Sequence, residues 1–128
     1  MRLPLLAANV GLCAGLVLAA IPAYGAARPN AVFLSITAHG GTTMRAVYVQ
    51  CPNPTQGHPY GEAACASIDA VDGDFDRLPS RPPRRCPEGQ GSVTATMNGM
   101  WQDRSISWQK TFPNVCELYA KTGAIFLF

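Results

Sequence analysis

Cysteine is the side chain whose number and spacing say most about chemistry here: five stand in 128 residues, at Cys13, Cys51, Cys65, Cys86 and Cys116. Thiols can hold zinc or, in an oxidising compartment, pair into disulfides. No two follow the C-x2-C spacing that small zinc sites favour, so zinc is weakly supported and no metal or cofactor is expected. Cys13 sits in an apolar run, Leu3 to Ile21, that follows the basic Arg2 and precedes the small residues of "IPAYGAA". This order is that of a secretory signal peptide, residues 1–25, with Ala23 and Gly25 at the two small positions and cleavage after Ala23 or Ala27 as alternatives. The run falls short of the roughly 20 residues a membrane-spanning helix needs, and Leu12 before Cys13 argues against lipidation. A secreted, extracellular domain, 26–128, then keeps four cysteines, an even count that reads as two disulfides. Four cysteines allow three pairings, and spacing does not choose among them.

The other chemical candidates are weaker. His39 and His58 each lie beside glycine or proline in loop sequence and read as solvated side chains, and no Gly-x-Ser-x-Gly elbow supports a hydrolase. Asp72, Asp74 and Asp76 in "DGDFD" are spaced like the opening of a calcium loop, but Arg77 stands where glycine is needed and Pro83 where the bidentate glutamate is needed. Arg81, Arg84 and Arg85 make a small basic patch with no interleaved aromatic to stack on bases. Taking Arg2 from the ten Lys and Arg leaves nine against eight Asp and Glu. That near balance favours neither nucleic acid nor a membrane surface as a partner.

One stretch remains, "RRCPEGQGS" at 84–92. Pro87 fixes its own φ and pushes Cys86 toward an extended shape. With Cys86 in a disulfide, residues 84–88 would form a stiff, extended, exposed segment of the kind a protease cleft binds through its main chain. Ordering it beforehand lowers the entropy cost of binding. A tether on both sides of a cleavable bond would also keep the cut ends together.

The elements that must carry this loop read as α+β. "NAVFLSITAHGG" and "MRAVYVQC" read as strands, the second with Ala46, Tyr48 and Gln50 on one face and Val47 and Val49 on the other. "PNPTQGHPYG" is a loop. "GEAACASIDAVDGDF" is a helix with Ala64, Ile68 and Val71 on one stripe and Gly73 as its stop. "LPSRPPRRCP" has four prolines and is an extended connection. "SVTATMNGMWQDRSISWQ" predicts a hairpin turning at Asn98-Gly99, the dipeptide a type I′ turn favours. "GAIFLF" predicts a last strand, and a short helical turn follows Cys116. The expected fold is a five-stranded antiparallel sheet packed with one or two helices.

The segments "RAVYVQC", "GHPYGEAACASIDAVDGDF", "CPEG", "NGMWQ" and "FPNVCELYAKTGAIFLF" together resemble the Streptomyces subtilisin inhibitor family, over roughly Ala31 to Phe128. The resemblance implies a sheet-and-helix sandwich with disulfides Cys51–Cys65 and Cys86–Cys116, and a homodimer formed through the sheet. It implies no enzyme activity but slow, tight inhibition of secreted serine proteases of the subtilisin type. By the same likeness the reactive bond is Glu88–Gly89, with Arg85, Cys86 and Pro87 lining the cleft before it and Gln90 and Gly91 after it. Asn114 matches the asparagine that braces the loop from behind. Two departures stand out. Glu88 is neither the large apolar residue subtilisins favour nor a basic one, which points to a glutamyl endopeptidase as target. Gly89 and Gly91 loosen the leaving side, which admits a non-inhibitory secreted binding protein on the same scaffold, with a metalloprotease or transglutaminase as partner.

Overall fold

The structure, a computed structural model, describes residues 20, 29–52, 54, 57–80, 85–89 and 91–128. The signal-peptide reading and the readings of Arg81, Arg84 and Gln90 lie outside these residues. Four strands form one antiparallel sheet: β1 (Asn30–Ala38), β2 (Thr43–Cys51), β3 (Val93–Trp101) and β4 (Arg104–Phe112), in the order β2-β1-β3-β4. Helices α1 (Gly61–Ala70) and α2 (Val115–Thr122) accompany it.

Alternation along the strands decides the layers. Val32, Leu34 and Ile36 of β1 point inward with Val47, Val49 and Cys51 of β2 and Ala95 and Met97 of β3, all buried. The helices cover this face: Ala64, Cys65 and Ile68 of α1 and Leu118 of α2 join the same core. All three residues of the stripe read from the sequence are buried, Ala64 and Ile68 within α1 and Val71 as its C-cap. α1 ends at Ala70, and Gly73, with φ 77°, donates its N–H back to the Ile68 carbonyl at 3.0 Å.

Two expectations are corrected. The β3–β4 turn is not at Asn98-Gly99 but at Gln102-Asp103, whose φ values of 48° and 60° are the left-handed pair a type I′ turn requires. Asn98 and Gly99 lie inside β3, where Gly99 pairs with Val32 of β1 and Ile106 of β4. A Cβ on Gly99 would run into the Ala31 carbonyl and come within 2.7 Å of Val32 Cα. Glycine there serves a close strand approach and not a turn.

"GAIFLF" is not a fifth strand. Gly123–Phe126 is a 3-10 turn, and Ile125 and Phe126 are fully buried. A short unbroken apolar run carries no period of its own, so position decides its shape. Following directly on α2, it drops into the core, where the Phe126 ring lies 6.0 Å from Trp108 and 6.3 Å from Phe75.

The loop after β2 is held by its own contacts. Tyr60 N–H donates to His58 Nδ1 at 3.0 Å, so Nε2 carries the proton and donates to the Ile125 carbonyl at 2.8 Å. His58 is half-buried rather than the solvated side chain expected. Among the described residues no helix is long and apolar enough to cross a membrane.

Candidate functional site: a disulfide-anchored loop

Both disulfides form, Cys51–Cys65 and Cys86–Cys116, with Cα–Cα distances of 5.6 and 5.5 Å. The first ties the end of β2 to α1. The second ties the long β3 approach to α2. By the loop-entropy relation they contribute roughly 3 and 3 to 4 kcal/mol through the unfolded chain.

The approach to the loop is held from α2. Leu78 is buried, and Lys121 Nζ donates to the Leu78 carbonyl and to Ser80 Oγ, both at 3.1 Å. Arg85, Cys86 and Pro87 belong to no helix or strand; Arg85 and Pro87 are exposed and Cys86 is half-buried by its bond to α2. Glu88 and Gly89 are exposed and lie in a turn, with φ 89° at Gly89. The extended stretch expected through residue 88 thus gives way to a turn at Glu88. Glycine at 89 makes the difference, because it takes positive φ at no steric cost. A Cβ at Gly89 or Gly91 would touch nothing within 4 Å.

After the turn the chain is caught at Ser92, whose carbonyl accepts the His39 N–H at 3.1 Å and whose Oγ lies 3.4 Å from His39 Nδ1. Val93 then enters the sheet. His39 was read from the sequence only as a solvated side chain, and nothing there pointed to Lys121 as a support for the loop. Only the strand register, which sets Ala38 opposite Val93, brings the β1–β2 turn to the loop.

Asn114 is buried at the N-terminus of α2, and its Oδ1 accepts the Glu117 N–H at 2.8 Å. This is an N-cap, which fixes the first turn of the helix that carries Cys116. Of the expected site, Cys86 and Cys116 meet in a bond, and Asn114 is two residues from Cys116. Arg85, Pro87, Glu88, Gly89 and Gly91 form one exposed run. The carboxylates of "DGDFD" are engaged locally: Asp74 accepts the Asp76 N–H, Asp76 accepts the Trp108 indole N–H, and Asp72 accepts from Gln102 Nε2. Among the described residues no cluster of His, Cys, Asp and Glu is arranged to hold a metal.

A covalently anchored, otherwise open loop of this kind can present main chain to another protein. Residues 28–114 match the family described as subtilisin inhibitor-like. Subtilisin inhibitor-like protein 5 of Streptomyces fradiae is 37% identical over 105 residues, covering 78% of this chain and 98% of that protein. Subtilisin inhibitor-like protein 4 of Streptomyces lavendulae is 39% identical over 106 residues, covering 78% and 90%. The fold is similar to Streptomyces caespitosus sermetstatin, solved in complex with Bacillus licheniformis subtilisin. The TM-score is 0.66 at 29% identity, over 79% of this chain and all of that one.

Proposed function

This chain belongs to the subtilisin inhibitor-like family, one of protease inhibitors and not of enzymes, and on that premise we propose how its loop works. The protein is exported behind a signal peptide, residues 1–25, and blocks secreted serine endopeptidases as a substrate-like inhibitor. Its reactive bond is Glu88–Gly89. The observation that carries this reading is the exposed Pro87-Glu88-Gly89 run directly after Cys86, which is bonded to α2 through Cys86–Cys116. Arg85, Cys86 and Pro87 pair with the cleft before the bond, Gln90 and Gly91 after it, and Glu88 enters the specificity pocket.

Glu88 selects the target. Its carboxylate loses water in the pocket, and an apolar pocket leaves that loss uncompensated. A pocket with a basic group replaces the water with a charged partner. The preferred enzyme is therefore a glutamate-specific serine protease, with subtilisin bound less tightly. Inhibition constants for the mature domain and for Glu88→Met against both enzymes test this. The expected outcome is an exchange of preference toward subtilisin; unchanged constants for Glu88→Met would refute the assignment of Glu88 to the pocket.

The turn at Glu88-Gly89 supports a second reading, a non-inhibitory secreted binder on the same scaffold with a metalloprotease or transglutaminase as partner. It predicts that Glu88→Ala leaves partner binding intact. A homodimer through the open face of the sheet belongs to both readings, since Phe33 and Tyr48, paired across β1 and β2, project from that face and are 46% and 56% exposed.

A further inference from the structure

We propose that His39 is a positioning residue for the reactive loop, one that holds the segment after the scissile bond in place while that bond is open. The inference rests on Glu88–Gly89 being the reactive bond. The β1–β2 connection that carries His39 is tight: Ala38 N–H donates to the Thr42 carbonyl at 2.8 Å and Gly41 N–H to the Ala38 carbonyl at 3.1 Å. From this braced turn His39 reaches Ser92 twice, by its main-chain N–H at 3.1 Å and by Nδ1 to Ser92 Oγ at 3.4 Å. Among the described residues the hydrogen bonds to the body begin at Ser92 and none involves Gly89 or Gly91, so Ser92 is the first described residue beyond the bond that is tied down.

The tie matters because of what happens at the bond. The enzyme's serine oxygen adds to the Glu88 carbonyl carbon, the C–N bond to Gly89 breaks, and the Gly89 nitrogen leaves as an amine carrying the proton the serine gave up. Inhibition persists when that amine returns and expels the serine faster than water does. Three residues separate the amine from Ser92, a reach of about 10 Å at full extension. If the hold on Ser92 is lost, the next anchor is Val93 in β3, and the reach grows to about 13 Å. The volume open to the amine then roughly doubles, since it scales as the cube of the reach, and its return slows accordingly. The His39 ring stops Ser92 from turning about its single main-chain bond. Asparagine at 39 places a carboxamide oxygen near the Nδ1 position and keeps the contact.

The test compares the mature wild-type domain with His39→Ala, Ser92→Ala and His39→Asn, each incubated with subtilisin and with glutamyl endopeptidase. Mass spectrometry reads the fraction cut at Glu88–Gly89 at equilibrium, and residual activity reads how fast each enzyme recovers. His39→Ala and Ser92→Ala keep the main-chain bond to Ser92 and lose only the ring contact, so the doubled volume sets the upper limit: both readings rise by up to about twofold. His39→Asn stays near wild type, and both His39 variants share its Tm because position 39 is exposed. If wild type inhibits with its cut at Glu88–Gly89 and His39→Ala behaves identically, the role of His39 is refuted and the reactive bond stands. If wild type inhibits neither enzyme, or is cut elsewhere, the reactive-bond reading fails and this inference fails with it.

Discussion

Glycine at position 89 does something a side chain would not: it lets the exposed loop curl at φ 89° where a protease cleft accepts extended chain. Docking must then unwind the turn, and the free loop has more conformations to give up. Alanine there disfavours positive φ and narrows the unfolded and free-loop ensembles, with open space around its methyl group. Gly89→Ala is expected to tighten inhibition about two- to fivefold, corresponding to the ~0.4–1 kcal/mol typical of such replacements. Titration of a fixed amount of enzyme with both forms measures it; weaker inhibition by the alanine form would show that the curl itself is recognised. At the same scale, Asn114 was legible as loop support only in part. Its role came from the family resemblance, and the helical turn was expected after Cys116; α2 in fact starts at Val115, so the Asn114 side chain caps the helix that holds the cysteine.

At the scale of elements, strand alternation and the α1 stripe were readable because each has a period that burial enforces. The β2 faces came out as expected, with Val47 and Val49 in and Tyr48 out. The hairpin was readable but not its turn. Asn98-Gly99 has the right residue types for a type I′ turn, and so does the pair that forms it, Gln102-Asp103, though less strongly. What decides is lateral: β1 passes so close to residue 99 that only glycine fits, a constraint no local pattern reveals. Gly99→Ala therefore pushes β1 and β3 apart at the centre of the sheet, and overpacking of this kind costs about 1–3 kcal/mol. Urea unfolding should show that loss with the m-value unchanged; a variant as stable as wild type would mean the strands have slack. The C-terminal run misled for a related reason. "GAIFLF" looks like a strand by composition, but α2 ends at Thr122 and delivers it to the core opening, where Phe126 meets Trp108 and Phe75.

At the scale of the whole molecule the sheet has one face under the helices and one that no described element covers. On the uncovered face Phe33 lies between Tyr48 of β2 and Asn98 of β3, and Ser35 bonds Thr96 beside it. Two copies meeting through this face would bury the exposed Phe33 and Tyr48 rings. Tyr48→Asp places a charge there without touching the core. It is expected to convert a dimer to a monomer in sedimentation equilibrium while Tm at low protein concentration stays within a few degrees. A wild-type domain that sediments as a monomer at high concentration would remove the dimer from the proposal.

The bond between Cys86 and Cys116 closes a ring across a sequence separation of 30, and Glu88 and Gly89 lie inside that ring. A cut between them opens the ring without parting the molecule. The two pieces stay joined through sulfur, and the protein gains only the mass of one water. Cleaved and intact forms would therefore travel together on a gel run without reductant and separate only when thiol is added. Any assay that scores this protein as uncut from an unreduced gel would be blind to the event it is meant to detect.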